Sequence, residues 1–281
     1  MALELPRNAL KRALKEGRSQ IGLWCGISDP CVAELLAASG FDVLVFDTEH
    51  AANDTRSVLA LLQAVSSYAV HPAVRLVSGS TAVIKQYLDL GVQTIIVPMI
   101  ETEAQAADVV AATRYPPRGT RGVATATTRA ARFTRIPRYL ERADAEISVW
   151  VQVESVRGLG NLQTIAQVEG VDGVFFGPAD LAASMGLAGQ LDNHPLVHEA
   201  LLRGIDTVRA AGKGAGTLTL DRARGRIYLE RGATFMAMGV DMTLLARAAS
   251  DLAAAFGGDG DTAGDAAHDA PRAPSGAPSR P

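Results

Sequence analysis

Short, almost continuous apolar runs alternate with helical segments along most of the chain. Between the runs lie stretches such as DTRSVLALLQAVSS, whose apolar residues have the spacing of an amphipathic helix. The apolar runs do not alternate with polar residues, which indicates parallel strands covered on both faces. The predicted strands are residues 21–26, 43–49, 72–77, 94–100, 147–154, 173–177, 214–218 and 234–239.

Eight strand–helix units in about 250 residues are typical of a (β/α)8 TIM barrel, an α/β fold. A doubly wound open sheet is the alternative, but it does not require eight repeats, and the first strand lacks the GxGxxG pattern. Residues 115–146 interrupt the repeat with a long insert rich in Arg, Thr and Gly, which is either a functional loop or a surface excursion.

Residues 257–281 contain no Leu, Ile, Val, Phe, Tyr or Trp, so they cannot bury enough apolar surface to offset the entropy of ordering. We therefore expect one barrel domain over residues 1–256 and a disordered tail over residues 257–281.

Composition narrows the class of protein. The formal charge is −3 and no long basic run is present, so the chain lacks the electrostatic signature of a nucleic-acid-binding protein. No apolar stretch is long enough for a membrane span, and the start of the chain predicts an amphipathic helix rather than a signal peptide. Cys25 and Cys31 match no zinc or redox spacing. These features favour a cytoplasmic protein that acts on a small molecule, with no nucleic-acid or membrane partner.

Catalytic groups of TIM barrels lie at the carboxyl ends of the strands, where this chain carries several charged residues. Glu154 and Asp180 follow two consecutive strands and should be neighbours. A pair of carboxylates suits a hard divalent cation such as Mg²⁺ or Mn²⁺, with positions left for water and substrate. Alternatively, Glu154 caps the next helix and Asp180 only begins one. The turn Gly177-Pro178-Ala179-Asp180 could also offer backbone amides to an anion, or be an ordinary loop.

Asp47, Glu49 and His50 cluster at the end of the second strand, and Arg75 interrupts the third. His50 is a candidate general base, which Asp47 could orient and charge. Arg75 needs a partner if it is buried, so it either forms a structural ion pair or stabilises a substrate enolate or carboxylate.

The chain resembles the HpcH/HpaI family of class II, metal-dependent pyruvate aldolases over residues 20 to about 256. The blocks that carry the resemblance include GLWCGISDPCVAELLAASGFDVLVFDTEHAAND, HPAVR, IKQYLDLGVQTIIVPMI, RYPPRGTRGV, VQVES, GVDGVFFGPADLAASMG and MGVDMTLLARAA. The resemblance implies a phosphoenolpyruvate/pyruvate-type barrel that exchanges its last helix between subunits, in a homo-hexamer built as a trimer of dimers.

The resemblance also implies roles for individual residues. Glu154 and Asp180 match the carboxylates that hold Mg²⁺, Mn²⁺ or Co²⁺, with Gln152 beside them. The backbone around Gly177, Pro178, Ala179 and Asp180 holds the pyruvate carboxylate, Arg75 stabilises the enolate, and His50 with Asp47 matches a dyad that transfers protons. Asp89 matches a residue that reaches the neighbouring subunit's site. None of the strand ends offers a lysine for a Schiff base.

The implied reaction is reversible cleavage of a 4-hydroxy-2-oxo acid, such as 4-hydroxy-2-oxoheptanedioate, to pyruvate and an aldehyde, such as succinate semialdehyde. The alternatives are cleavage of a 2-keto-3-deoxy sugar acid, oxaloacetate decarboxylation, citrate-lyase-like cleavage, and a non-catalytic barrel that binds a metabolite. The residues Thr48, Ala182 and Thr217 depart from the family pattern, and Thr48 and Ala182, which lie near the expected site, leave the aldehyde open.

Overall fold

The computed structural model of the protein describes residues 3–256. Eight parallel strands form a closed barrel in chain order, and the last strand pairs with the first. The strands are β1 (Gln20–Cys25), β2 (Val43–Asp47), β3 (His71–Arg75), β4 (Thr94–Val97), β5 (Ser148–Val153), β6 (Gly173–Phe176), β7 (Gly214–Leu218) and β8 (Phe235–Val240). The TIM barrel predicted from the apolar runs is confirmed.

Helices follow the strands and cover the outside of the barrel. Side-chain caps start several of them: Asp54 and Thr102 each form a capping box. The helices are α1 (Ala9–Lys15), α2 (Pro30–Ala37), α3 (Thr55–Ala64), α4 (Thr81–Leu90), α5 (Glu103–Thr113), α6 (Tyr139–Arg142), α7 (Val156–Gly160), α8 (Leu162–Gln167), α9 (Pro178–Ser184), α10 (Pro195–Ala210), α11 (Arg222–Glu230) and α12 (Asp241–Phe256).

The inside of the barrel has its own apolar core, separate from the core between strands and helices. Because side chains alternate across a strand, Val43, Val45 and Asp47 share the inward face of β2. The first two belong to the interior core, together with Trp150 and Phe235. The same inward face therefore turns from apolar to charged at the carboxyl end of the strand.

The insert at residues 115–146 is a folded excursion. It contains α6 and packs Tyr115, Ala131, Ile136, Tyr139 and Ala143 into a small buried cluster of its own. This packing gives the buried part of the insert a structural role, which favours the alternative of a surface excursion over that of a functional loop.

The chain divides into two compact units, Met1–Leu245 and Ala246–Pro281. The first unit holds the barrel, its helices and the beginning of α12. Of the second unit, the structure describes the remaining turns of α12, whose side chains are exposed. The tail expected at residues 257–281 lies outside the described residues. Within residues 3–256, no helix is both long enough and apolar enough to cross a membrane.

Candidate active site

Asp47 and Arg75 form a buried ion pair at the carboxyl end of the barrel. They are the last residues of β2 and β3 and lie opposite each other in the register of the two strands. Arg75 donates from Nε to Oδ1 of Asp47 at 2.8 Å and from Nη2 to Oδ2 at 2.5 Å. Burial raises the pKa of Asp47, but the hydrogen bonds and charge of Arg75 outweigh it and hold that pKa below its ordinary value. The two parallel hydrogen bonds to Asp47 hold the guanidinium of Arg75 in a fixed plane.

Glu49 completes the surroundings of this arginine. Its Oε2 lies 2.9 Å from Nη1 of Arg75 but makes no hydrogen bond of good geometry among the described residues. Burial raises the pKa of Glu49, and the negative charges of Asp47 and Asp180 add to the rise, against the opposing charges of Arg75 and His50. Glu49 is thus an incompletely satisfied carboxylate beside Arg75.

His50 lies in the turn beyond β2, and its side chain is 64 % exposed. Its Nε2 is 3.9 Å from Oε2 of Glu49, whereas the hydrogen bonds of the Asp47 carboxylate come from other residues. The structure therefore does not bring Asp47 into contact with His50 as expected, and pairs Asp47 with Arg75 instead. The reason is that Asp47 faces the barrel interior beside Arg75, while His50 comes after the strand has ended. The role of His50 as proton carrier stays a prediction.

Glu154 follows β5 and has a buried carboxylate. The backbone amide of Met99 donates to its Oε1 at 2.8 Å, and Nε2 of Gln152 donates to its Oε2. Met99 adopts a left-handed backbone conformation at this point, with φ of 57°. Burial raises the pKa of Glu154 to about 7, against these two hydrogen bonds and with help from the charges of Asp180 and Glu49.

Gly177 follows β6 and lies against Glu154. A Cβ built on Gly177 would come within 2.2 Å of Oε2 of Glu154 and 3.0 Å of Nε2 of Gln152. The glycine therefore leaves the space that the Glu154 carboxylate occupies. After it, Pro178, Ala179 and Asp180 form the first turn of α9, which has no side-chain cap.

The residues around Glu154 fit a divalent cation. Burial, and in smaller part the charges of Asp180 and Glu49, disfavour the charged form of Glu154, a situation that a bound cation reverses. Oε1 of Gln152 is buried without a hydrogen-bond partner in the described structure, so it is free to accept from a water molecule at such a cation. Within residues 3–256, no three His, Cys, Asp or Glu residues converge as a ready metal cluster. A cation here would take its remaining ligands from water and substrate.

Asp89 lies far from this group. It is the penultimate residue of α4, a helix that runs back from the carboxyl end of the barrel, and its Oδ1 accepts from Nη2 of Arg121 at 2.9 Å. The structure therefore does not bring Asp89 to the site of its own chain. Its expected role in a neighbouring subunit stays a prediction.

Sequence reasoning missed Trp24 and the amide of Met99, although the inward face of β1 contains Gln20, Gly22 and Trp24 and could have suggested the first. The departures noted at Thr48, Ala182 and Thr217 lie around the barrel wall. The Thr48 and Thr217 hydroxyls donate to main-chain carbonyls, and Ala182 packs in the core between strands and helices.

The fold and the site define a (β/α)8 barrel enzyme with a buried acid and a clamped arginine at the carboxyl end of its strands. A family model described as HpcH/HpaI aldolase/citrate lyase matches residues 20–248, and the chain belongs to that family. It is accordingly a carbon–carbon lyase.

Named relatives agree with this assignment. The chain is 58 % identical to a hydroxypyruvate/pyruvate aldolase of Paraburkholderia phytofirmans, over 90 % of this chain and 95 % of the relative. It is 50 % identical to a 4-hydroxy-2-oxo-heptane-1,7-dioate aldolase of Salmonella dublin, over 92 % of this chain and 98 % of the relative. A crystal structure of an HpcH/HpaI aldolase/citrate lyase family protein from Burkholderia cenocepacia J2315 is similar, with 38 % identity and a TM-score of 0.84, and the match covers 88 % of this chain and 98 % of that one.

Proposed function

We propose that the protein is a metal-dependent pyruvate aldolase that cleaves 4-hydroxy-2-oxo acids to pyruvate and an aldehyde. The observation that carries the proposal is the arrangement of Glu154: a buried acid whose pKa is raised to about 7, beside Gln152 and near Asp180 and Glu49. Glu154 and Asp180 would hold Mg²⁺, Mn²⁺ or Co²⁺, which when bound supplies Lewis-acid polarisation of the substrate's keto group.

The remaining steps fall to the chain's own residues. A base removes the proton of the 4-hydroxyl, the C3–C4 bond breaks, and its electrons pass to the oxygen of the pyruvate enolate as the aldehyde leaves. Asp47 accepts from Nε and Nη2 of Arg75, and Glu49 Oε2 lies 2.9 Å from Nη1 without a hydrogen bond of good geometry, so Nη1 of the fixed guanidinium would stabilise the enolate oxygen. His50, exposed at the rim, carries the proton to and from the 4-hydroxyl.

Substrate recognition in this proposal uses the first turn of α9. Ala179 and Asp180 follow Gly177 at an uncapped helix start, so their amides are available to the pyruvate carboxylate. The aldehyde released with pyruvate is one such as succinate semialdehyde. The relatives named for 4-hydroxy-2-oxo-heptane-1,7-dioate support this choice.

The test is the release of pyruvate from 4-hydroxy-2-oxoheptanedioate, followed with a coupled lactate dehydrogenase assay. We expect exhaustive dialysis against EDTA to abolish release, and added Mg²⁺, Mn²⁺ or Co²⁺ to restore it. Glu154→Gln should fail to recover at any metal concentration that restores the wild type. Full activity after complete removal of metal, verified by elemental analysis, would overturn the proposal.

Hydroxypyruvate is a second candidate donor. Relatives at 58, 55 and 51 % identity are named hydroxypyruvate/pyruvate aldolases. Aldol addition of hydroxypyruvate and of pyruvate to one fixed aldehyde distinguishes the two donors. If kcat/KM is higher with hydroxypyruvate than with pyruvate, hydroxypyruvate is the better donor.

Oligomerisation is part of the proposal. Along α12, Leu245, Leu252 and Phe256 are 61, 63 and 83 % exposed, which supports coverage by a second copy in a homo-hexamer with exchanged helices. Light scattering coupled to size exclusion tests it: a monomer at micromolar concentration would contradict this assembly and the placing of Asp89 in a neighbour's site.

A further inference from the structure

Trp24 lies directly beneath the clamped arginine. It is the inward-facing residue near the end of β1 and is 7 % exposed. Its indole Nε1 donates to Oδ2 of Asp47 at 3.2 Å, and its ring lies 4.8 Å from Cζ of Arg75. On its other side the ring packs against Phe175, with centroids 5.4 Å apart. One side chain therefore touches both members of the ion pair.

The hydrogen bonds of Asp47 show what this contact does. Oδ1 accepts from Nε of Arg75 and from the amide of Glu49, and Oδ2 accepts from Nη2 of Arg75 and from Trp24. Four donors therefore fix the rotation of the carboxylate, and Trp24 is the only one of them that belongs to β1. The carboxylate in turn fixes the plane of the guanidinium, with the indole ring against it.

We propose that Trp24 is a positioning residue for Arg75, acting through Asp47 and through contact with the guanidinium. The inference rests on the proposed function, in which Arg75 stabilises the pyruvate enolate. Loss of the indole N–H leaves Oδ2 of Asp47 bonded to Arg75 alone and lets the ion pair rotate. Because enolate stabilisation depends on the donor's aim, the rate suffers while substrate and metal binding persist.

Trp150 supplies a matched control in the same interior core. It is completely buried and packs edge-to-face on Phe235, with centroids 5.5 Å apart. Its Nε1 has no hydrogen-bond partner in the described structure. Replacing either tryptophan by phenylalanine removes a similar volume from the barrel, but only at Trp24 does it remove a hydrogen bond to the ion pair.

The experiment measures exchange of the methyl protons of pyruvate in D₂O with added Mg²⁺, by proton NMR, because this reaction forms the enolate without any aldehyde. We expect Trp24→Phe to lower kcat for exchange about tenfold, with KM for pyruvate unchanged, and Trp24→Leu to lower it about threefold further. Trp150→Phe should stay within about twofold of the wild type, since it loses no hydrogen bond. Thermal unfolding of each variant sets the temperature at which all are folded.

A double-mutant cycle tests the route through Asp47. The fall in kcat for Trp24→Phe combined with Asp47→Asn should be smaller than the product of the separate falls, because both changes release the same guanidinium. Equal rates for Trp24→Phe and Trp150→Phe, or fully multiplicative effects in the cycle, would overturn the inference. A wild-type enzyme that shows no metal-dependent exchange would instead overturn the proposed function, and this inference with it.

Discussion

The carboxylate of Glu154 occupies the space that a side chain at Gly177 would need. A Cβ on Gly177 would lie 2.2 Å from Oε2 of Glu154, far inside van der Waals contact. The two residues directly follow neighbouring strands, β5 and β6, whose last residues Val153 and Phe176 pair, so the barrel brings them together. Glycine at position 177 is therefore a condition for the proposed metal site, and its φ of −92° shows that it serves to admit the carboxylate rather than to adopt an unusual backbone conformation.

The first prediction follows from this contact. Gly177→Ala should displace the Glu154 carboxylate and weaken Mn²⁺ binding about 10- to 100-fold, as loss of a metal's supporting contacts does in other sites. Titration of Mn²⁺ followed by electron paramagnetic resonance measures the affinity. Gly160→Ala is the control, because a Cβ there meets no atom within 4 Å. An unchanged affinity in Gly177→Ala would separate Glu154 from metal binding.

A buried histidine at the other end of β3 predicts a loss of stability in acid. His71 is buried, Nε2 of its ring lies 2.8 Å from Oγ1 of Thr94, and burial lowers its pKa from 6.5 to about 4. Between these two values the unfolded chain binds the proton and the folded chain does not. The contribution of His71 to the free energy of unfolding is therefore fully present above pH 6.5. It falls as the pH drops toward 4, by on the order of 3 kcal/mol.

His71→Gln checks this assignment, because glutamine can still bond Thr94 but does not titrate. Urea unfolding at pH 8 and at pH 4.5 should show a smaller acid loss for the variant than for the wild type. The measurement at pH 8 is the reference, since the packing cost of the substitution is present there without the titration. Parallel pH profiles for the two proteins would show that His71 does not contribute.

The strands and the composition of the site were predictable from sequence, whereas the pairing within the site was not. Asp47 appears in the linear chain as a charged residue near the end of an apolar run, and Arg75 as a charged residue that interrupts the next run, so both are candidates from sequence. The pairing depends on which face each side chain takes. Asp47 and His50 are neighbours in sequence, but the inward face of β2 ends at Asp47, and Arg75 comes from another strand at the same height. Trp24 is apolar in sequence, and only the register of β1 shows that its polar edge meets Asp47.

The buried arginine of the insert gives a stability prediction. The side chain of Arg121 is fully buried, its guanidinium carbon lies 4.5 Å from the ring centre of Tyr115, and it pairs with Asp89. Asp89→Asn should lower the free energy of unfolding by about 2 kcal/mol, because it leaves a buried cation without its opposite charge. Glu141→Gln, in an exposed pair with Arg138, should leave the free energy of unfolding nearly unchanged.

Activity of Asp89→Asn, measured where it is fully folded, distinguishes a structural role from the expected role in a neighbour's site. A rate equal to the wild type would assign Asp89 to structure alone. A lower rate that recovers in mixed oligomers with Arg75→Lys subunits would place Asp89 in the site of the adjacent copy, since each intact site then takes one residue from each chain.

The last prediction concerns the partner of Asp47. Arg75→Lys keeps a positive charge but loses the two parallel hydrogen bonds, so we expect kcat for pyruvate formation to fall at least about 100-fold with metal binding unchanged.

His50→Gln should lower kcat about 100-fold or more through loss of proton transfer, with little change in stability because the side chain is exposed.

Two double mutants then separate the alternatives. Because Asp47 acts on Arg75, Asp47→Asn should add little to Arg75→Lys in the effect on kcat. Because Asp47 does not contact His50, Asp47→Asn and His50→Gln should reduce kcat independently, so that their effects multiply. Both cycles are measured with metal at saturation and at a temperature where every variant is folded. The reverse outcome, multiplicative effects with Arg75 and non-multiplicative effects with His50, would restore Asp47 as the residue that orients the histidine.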